Sequence, residues 1–143
     1  MRILFLGDIV GISGCSKIIN NLLNEIKKNK IDFVIVNGEN AAEQGVGLTK
    51  EICENLFKCG VNVITTGNHV WDQKDIMNFI ENENRLLRPK NLFEPSPGKG
   101  FEIYVKDNGI KIGVLNLMGN VFMKKCEDVF ETAKKFTEKY KLQ

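Results

Sequence analysis

Apolar residues in the first half of the chain fall into short continuous runs that alternate with stretches of helical period. Arg2 to Leu6 and Phe33 to Val36 are runs of the kind expected of strands covered on both faces. Between them Ile18, Ile19, Leu22, Leu23 and Ile26 recur three and four positions apart, which predicts a helix packed on the sheet. This makes a β-α-β unit. A second helix is predicted with Thr49 as N-cap, Ile52, Leu56 and Phe57 on its inner face, and Gly60 at its end. Val61 to Thr65 supplies a third strand. Asp72 and Asp75, followed by Ile76, Phe79 and Ile80, predict a third helix beginning directly after His69.

The rhythm changes after Arg88-Pro89. The segment Lys90 to Gly100 carries Pro95, Pro97, Gly98 and Gly100 and reads as a loop. Phe101 to Lys106 and Ile110 to Leu117 flank Asp107-Asn108-Gly109, a hairpin signal. Cys126, Val129, Phe130, Ala133, Phe136 and Tyr140 then form one helical stripe. In a β-α-β-α architecture such a helix delivers the chain into another strand, so the sequence reads as cut off after a helix, with an unpaired sheet edge left open.

Composition changes this picture little. At 143 residues, with 43% hydrophobic and 27% charged residues, the chain has the make-up of one ordinary globular domain. A net charge of +2 with scattered lysines gives no nucleic-acid footprint. Cys15, Cys53, Cys59 and Cys126 are too widely spaced for a zinc motif and are expected to be reduced and buried. No run approaches the ~20 apolar residues of a membrane span, and the first apolar run is too short for a signal peptide. A cytoplasmic protein is expected.

The candidate chemistry lies where the predicted strands end. Gly7-Asp8, Gly38-Glu39-Asn40 and Gly67-Asn68-His69 each follow an apolar run, and the carboxyl ends of strands in an open α/β sheet are where ligands bind. Glu39 stands out, because a carboxylate at the edge of a buried sheet needs a cation or a close set of donors. Taken singly, Asp8 could equally cap a helix, and Asn40 and Asn68 could equally satisfy turn backbone. His69 is the single histidine, placed between a strand end and a helix, and an imidazole there could give a proton to a leaving group. Trp71 could wall a pocket or belong to the core. Gly7, Gly11 and Gly14 match neither a dinucleotide fingerprint nor a P-loop, and Val10 stands where an aspartyl-phosphate hydrolase carries its second aspartate.

Gly7-Asp8-Ile9-Val10-Gly11, Asn37 to Ala42, Gly45 to Thr49, Thr66 to Asp72, Arg88 to Asn91, Pro97 to Gly100 and Asn116 to Gly119 occur in order across the chain. In these motifs the sequence resembles the YmdB-like metallophosphoesterases of the calcineurin superfamily. The resemblance implies an αββα sandwich of which residues 1–143 form the amino-terminal portion, apparently truncated after the first half. It implies a dinuclear centre of iron or manganese, with magnesium as an alternative, that hydrolyses phosphodiesters such as 2′,3′-cyclic nucleotides. Carried across, Asp8, Glu39, Asn40 and Asn68 correspond to metal-shell positions, Glu39 being the bridging carboxylate, and His69 to the catalytic residue beside the leaving group. No substrate-binding residue is assigned. The family's other metal ligands are histidines in later motifs, and Asn120 stands where the family often carries arginine. The expected partner is a small phosphodiester or nucleotide, with room for a homo-oligomer. The competing expectation is a truncated, non-catalytic α/β module holding half of a metal site.

Overall fold

The computed structural model describes residues 1–93 and 95–140. Strands β1 (Ile3–Leu6), β2 (Phe33–Asn37), β3 (Val63–Thr65) and β4 (Leu86–Leu87) form one parallel sheet in the order β1-β2-β3-β4. Helices α1 (Gly11–Asn29) and α2 (Lys50–Lys58) follow β1 and β2. They cover one face of the sheet, where Cys15, Leu22, Cys53 and Leu56 meet Val34, Val36 and Ile64 in the main core. Local chemistry fixes the helix ends. Thr49 caps α2 by accepting the Ile52 N–H at 3.3 Å, and Gly60 leaves it at a φ of +105°, in the left-handed region that favours glycine.

The antiparallel hairpin of β5 (Phe101–Val105) and β6 (Lys111–Leu115) covers the opposite face. Side chains alternate along each strand. Ile112, Val114 and Tyr104 therefore turn inward against Phe33, Val63 and Leu87, while Phe101 turns outward. There it meets Phe136 of α4 (Val129–Lys139) and Tyr140 at the end of that helix, with ring centroids 5.1 and 4.5 Å away. The layers run helix, sheet, sheet, helix, as the sandwich reading expects.

Three sequence expectations need correction. β1 is not covered on both faces: it is the sheet's edge strand, and Ile3 and Phe5 are 46% and 60% exposed. An apolar run reads the same whether its second face is covered or open. The third helix is a single turn, α3 (Ile76–Phe79). It does not begin after His69, because neither aspartate caps it: Asp72 bonds His69, and Asp75 accepts the Lys50 N–H at 2.9 Å. Phe130 leaves the helical stripe and is 81% exposed, and Cys126 lies ahead of α4, whose cap is Asp128. The Lys90 to Gly100 loop is found as expected, apart from Glu94, which with residues 141–143 lies outside the described residues.

All four cysteines are free and buried, and burial raises the Cys53 thiol pKa above its ordinary value. Among the described residues no helix is long and apolar enough to cross a membrane.

Asn91 is the main polar tie between the α/β half and the segment leading to α4. It is fully buried. Its amide nitrogen donates to the Met118 and Glu127 carbonyls at 2.7 and 2.9 Å, and its oxygen accepts the Met118 N–H at 2.9 Å. Asn91→Ala would strand several buried backbone groups at ~1–3 kcal/mol each. Urea unfolding should show a loss of about 3 kcal/mol with an unchanged m value. A loss below about 1 kcal/mol would show that water or repacking satisfies those groups.

Candidate active site at the strand ends

Because β1, β2 and β3 are parallel neighbours, their carboxyl ends open onto one edge of the sheet. Backbone bonds continue the ladder beyond the strands. The Ile9 N–H donates to Asn37 O at 3.0 Å, the Gly11 N–H to Asn40 O at 2.9 Å, and the Gly38 N–H to Thr65 O at 3.0 Å. The three polar turns are thereby held side by side.

Side chains join them into a row. The Asn40 amide nitrogen donates to both Asp8 carboxylate oxygens at 3.0 Å, which links the β1 and β2 ends. The His69 backbone N–H donates to Glu39 Oε1 at 3.1 Å, which links β2 to β3. Glu39 is seated against Gly67, where a Cβ would overlap its carboxylate. The close approach requires glycine. Beyond it, His69 Nδ1 and Asp72 Oδ2 lie 2.6 Å apart in a tight turn closed by the Asp72 N–H on His69 O at 3.1 Å. With Nδ1 engaged, Nε2 is the ring nitrogen left for a substrate. The ring is about one third exposed, its side chain retaining 35% of its accessible surface.

Asp8, Asn40, Glu39 and His69 are thus brought together, in the order of the sheet. Asn68 sits half-buried in the same turn, and among the described residues its side chain makes no hydrogen bond. Trp71 packs on the core. Three further residues hold this edge, none of them among the site residues the sequence predicts. Asp72 was read as a helix start, although its spacing of three from His69 is a signal for a pair within one turn. Asn116 ends the β6 run, and its buried amide donates to Thr66 O and Leu87 O at 2.8 and 2.9 Å, tying the ends of β3 and β4 together. Gln73, which donates to Val46 O at 2.9 Å, anchors the loop after His69 to the one after Asn40.

The donor set can be tested against a metal. Asp8, Glu39, Asn40 and Asn68 offer hard oxygen atoms, as magnesium or manganese prefers. The glycine-bounded seat of Glu39 keeps side-chain atoms out of that position. These residues suit part of one hard cation's shell. They fall short of two complete shells, and among the described residues no group of three or more His, Cys, Asp and Glu side chains could hold a metal ion. Ligation through Asn40 would need its amide oxygen where its nitrogen now faces Asp8.

Comparison with known proteins gives one consistent family. The sequence model of the family described as YmdB-like protein matches residues 4–143. A 2′,3′-cyclic-nucleotide 2′-phosphodiesterase of Bacillus subtilis is 45% identical over 130 residues, which are 91% of this chain and 48% of that protein. The crystal structure of a hypothetical protein from Thermus thermophilus superposes with a TM-score of 0.89 at 34% identity, covering 98% of this chain and 54% of that one. That of a novel phosphatase from Mycoplasma pneumoniae gives 0.88 at 35% identity, covering 97% and 51%. The chain spans about half the length of the curated relatives it matches.

Proposed function

The chain belongs to the YmdB-like family, within the metallophosphoesterase superfamily, and from that premise we propose that its strand-end row is part of a phosphodiesterase centre acting on 2′,3′-cyclic nucleotides. The observation that carries this reading is the carboxylate of Glu39 seated on Gly67 and held by the His69 N–H, next to the Asp8–Asn40 pair. The name of the Bacillus subtilis relative supplies the substrate class. The names of the relatives favour an enzyme over a non-catalytic module.

Asp8, Glu39, Asn40 and Asn68 would hold divalent metal, with Glu39 the carboxylate shared between two ions. Iron or manganese, with magnesium as the alternative, would supply charge neutralisation on the phosphate and an activated water. The second ion needs ligands beyond these four residues. His69 has the remaining task. In hydrolysis of a cyclic phosphodiester one P–O bond to the ribose breaks, and the departing alkoxide oxygen takes up a proton. His69 Nε2 would deliver it, a role supported by the engagement of Nδ1 with Asp72.

On this reading the chain by itself binds manganese weakly in calorimetry, and a tight site of two equivalents would contradict it. The activity test is hydrolysis of a 2′,3′-cyclic nucleotide and of bis-p-nitrophenyl phosphate by the chain assembled with a polypeptide equivalent to the half of the relatives that it does not match. Turnover should appear with added manganese and disappear with a chelator. An assembled sample that cleaves neither substrate, or cleaves them after the metal is stripped, overturns the proposal.

A further inference from the structure

The turn that carries His69 begins where the parallel sheet runs out. β3 ends at Thr65, β4 is two residues long, and the Gly38 N–H on Thr65 O continues the ladder between β2 and β3 to this point. Thr66, the next residue, is buried. Its N–H and its hydroxyl both donate to Leu87 O at 3.0 Å, and its carbonyl accepts the side-chain amide of Asn116 at 2.8 Å. Thr66 is thereby held through all three of its polar groups.

Asn116 reaches that carbonyl from the other layer of the fold. It follows β6 of the hairpin, and its own backbone is fixed at both ends, the N–H donating to Gly100 O at 3.0 Å and the carbonyl accepting the Lys90 N–H at 2.8 Å. From that anchor its buried amide nitrogen directs one hydrogen to Thr66 O and the other to Leu87 O, at 2.8 and 2.9 Å. Two hydrogens on one nitrogen suit two neighbouring carbonyls, whereas an ionised aspartate has none to give and a serine has one. The constraint then passes along the chain. Gly67 follows Thr66 and seats the Glu39 carboxylate, the Val70 N–H closes the turn on Gly67 O at 3.3 Å, and within that turn the His69 N–H holds Glu39 Oε1 at 3.1 Å.

We propose that Asn116 is a positioning residue for the phosphodiesterase centre. It acts through the Thr66 carbonyl: by fixing that group from the hairpin layer, it sets the turn of residues 67–70 where Gly67 and the His69 N–H hold Glu39. The inference rests on the function proposed above for its chemistry, while its geometric step is a property of this chain. A displacement of about 1 Å at a reacting group costs roughly 10²-fold in rate. A bond that fixes the turn bearing both the imidazole and the seat of the carboxylate therefore has a kinetic consequence beyond its part in stability.

Hydrogen exchange of the full chain tests the geometric step. In Asn116→Ala the His69 amide should lose protection by about 10-fold or more relative to the β2 amides, because release of the Thr66 carbonyl loosens the turn. Val114→Ala is the control: Val114 is buried in the hairpin core on the strand that leads to Asn116, so its truncation should lower stability in urea and leave the relative protection of the His69 amide unchanged. Asn116→Ser keeps one donor and should fall between wild type and Asn116→Ala. In the unsubstituted chain the Asn116 side-chain protons should exchange as slowly as the His69 amide. In the protein assembled for hydrolysis, Asn116→Ala should lower kcat for a 2′,3′-cyclic nucleotide by about 10- to 100-fold with KM unchanged, and Val114→Ala should keep kcat near wild type. Asn116 side-chain protons that exchange freely beside a protected His69 amide, equal loosening of His69 in Val114→Ala and Asn116→Ala, or an undiminished kcat in Asn116→Ala overturns the positioning role. Absence of hydrolysis in the unsubstituted assembly overturns the function instead, and the exchange comparison then decides whether Asn116 holds the turn.

Discussion

Glu39→Gln is expected to abolish phosphodiester hydrolysis in the assembled protein while leaving the fold intact. The amide oxygen of glutamine can still accept the His69 N–H that Glu39 Oε1 accepts at 3.1 Å, and the side chain keeps its shape against Gly67. What disappears is the negative charge. On the proposed two-metal reading, two cations sharing this position would repel one another, and a neutral amide would offset none of that repulsion. Metal analysis should therefore show loss of bound metal together with loss of turnover, and thermal unfolding of the metal-free protein should be nearly unchanged. Gly67→Ala approaches the same position from the other side. It keeps the charge and removes its seat, because the added Cβ overlaps the carboxylate. Glu39 must then swing away and release the His69 N–H, a hydrogen bond to a charged group worth about 1.5–3 kcal/mol. Gly67→Ala should thus lose both activity and stability, whereas Glu39→Gln loses activity alone. Retention of turnover in Glu39→Gln would remove Glu39 from the metal site.

The sequence carried most of the scaffold because hydrophobic period reports burial directly. β2, with Phe33, Val34 and Val36 all buried, and the Ile18–Leu22–Ile26 face of α1 were legible for that reason. The hairpin was legible from Asp107-Asn108-Gly109, where Gly109 takes a φ of +80° and its N–H closes the turn on Lys106 O at 2.8 Å. β4 escaped because Leu86–Leu87 is too short to show a period; it exists because Leu86 and Leu87 complete the cores on opposite faces of the sheet. The openness of β1 escaped because strand order is a property of tertiary pairing.

At the site, residue types and strand ends were readable, and their connections were not. That Asn40 would spend its amide nitrogen on Asp8, or that a backbone N–H would hold Glu39, depends on how adjacent turns are aligned. Asp72 illustrates the limit best. Three acidic or amide residues, Asp72, Gln73 and Asp75, follow His69 within six positions and look alike in sequence. Only the turn geometry sends Asp72 to the imidazole, Gln73 to Val46 O and Asp75 to the start of α2.

That division of labour sets the last expectation. His69→Ala in the assembled protein should slow hydrolysis of a 2′,3′-cyclic nucleotide by roughly 10² to 10⁴, the usual worth of a positioned proton donor, with metal content near normal. Asp72→Asn should act through the ring it orients. The Nδ1 to Oδ2 contact of 2.6 Å engages one ring nitrogen and leaves Nε2, and loss of the carboxylate charge should lower kcat by about 10- to 100-fold, the usual loss when a hydrogen-bond partner that orients a histidine is removed. The double variant separates the two roles. If Asp72 works only through His69, adding Asp72→Asn to His69→Ala should cost almost nothing further, because an absent ring cannot be misaligned. Strict additivity would instead make Asp72 an independent contributor. Loss of metal in His69→Ala would make His69 a ligand, and full activity on the cyclic nucleotide would mean that another group protonates the leaving oxygen.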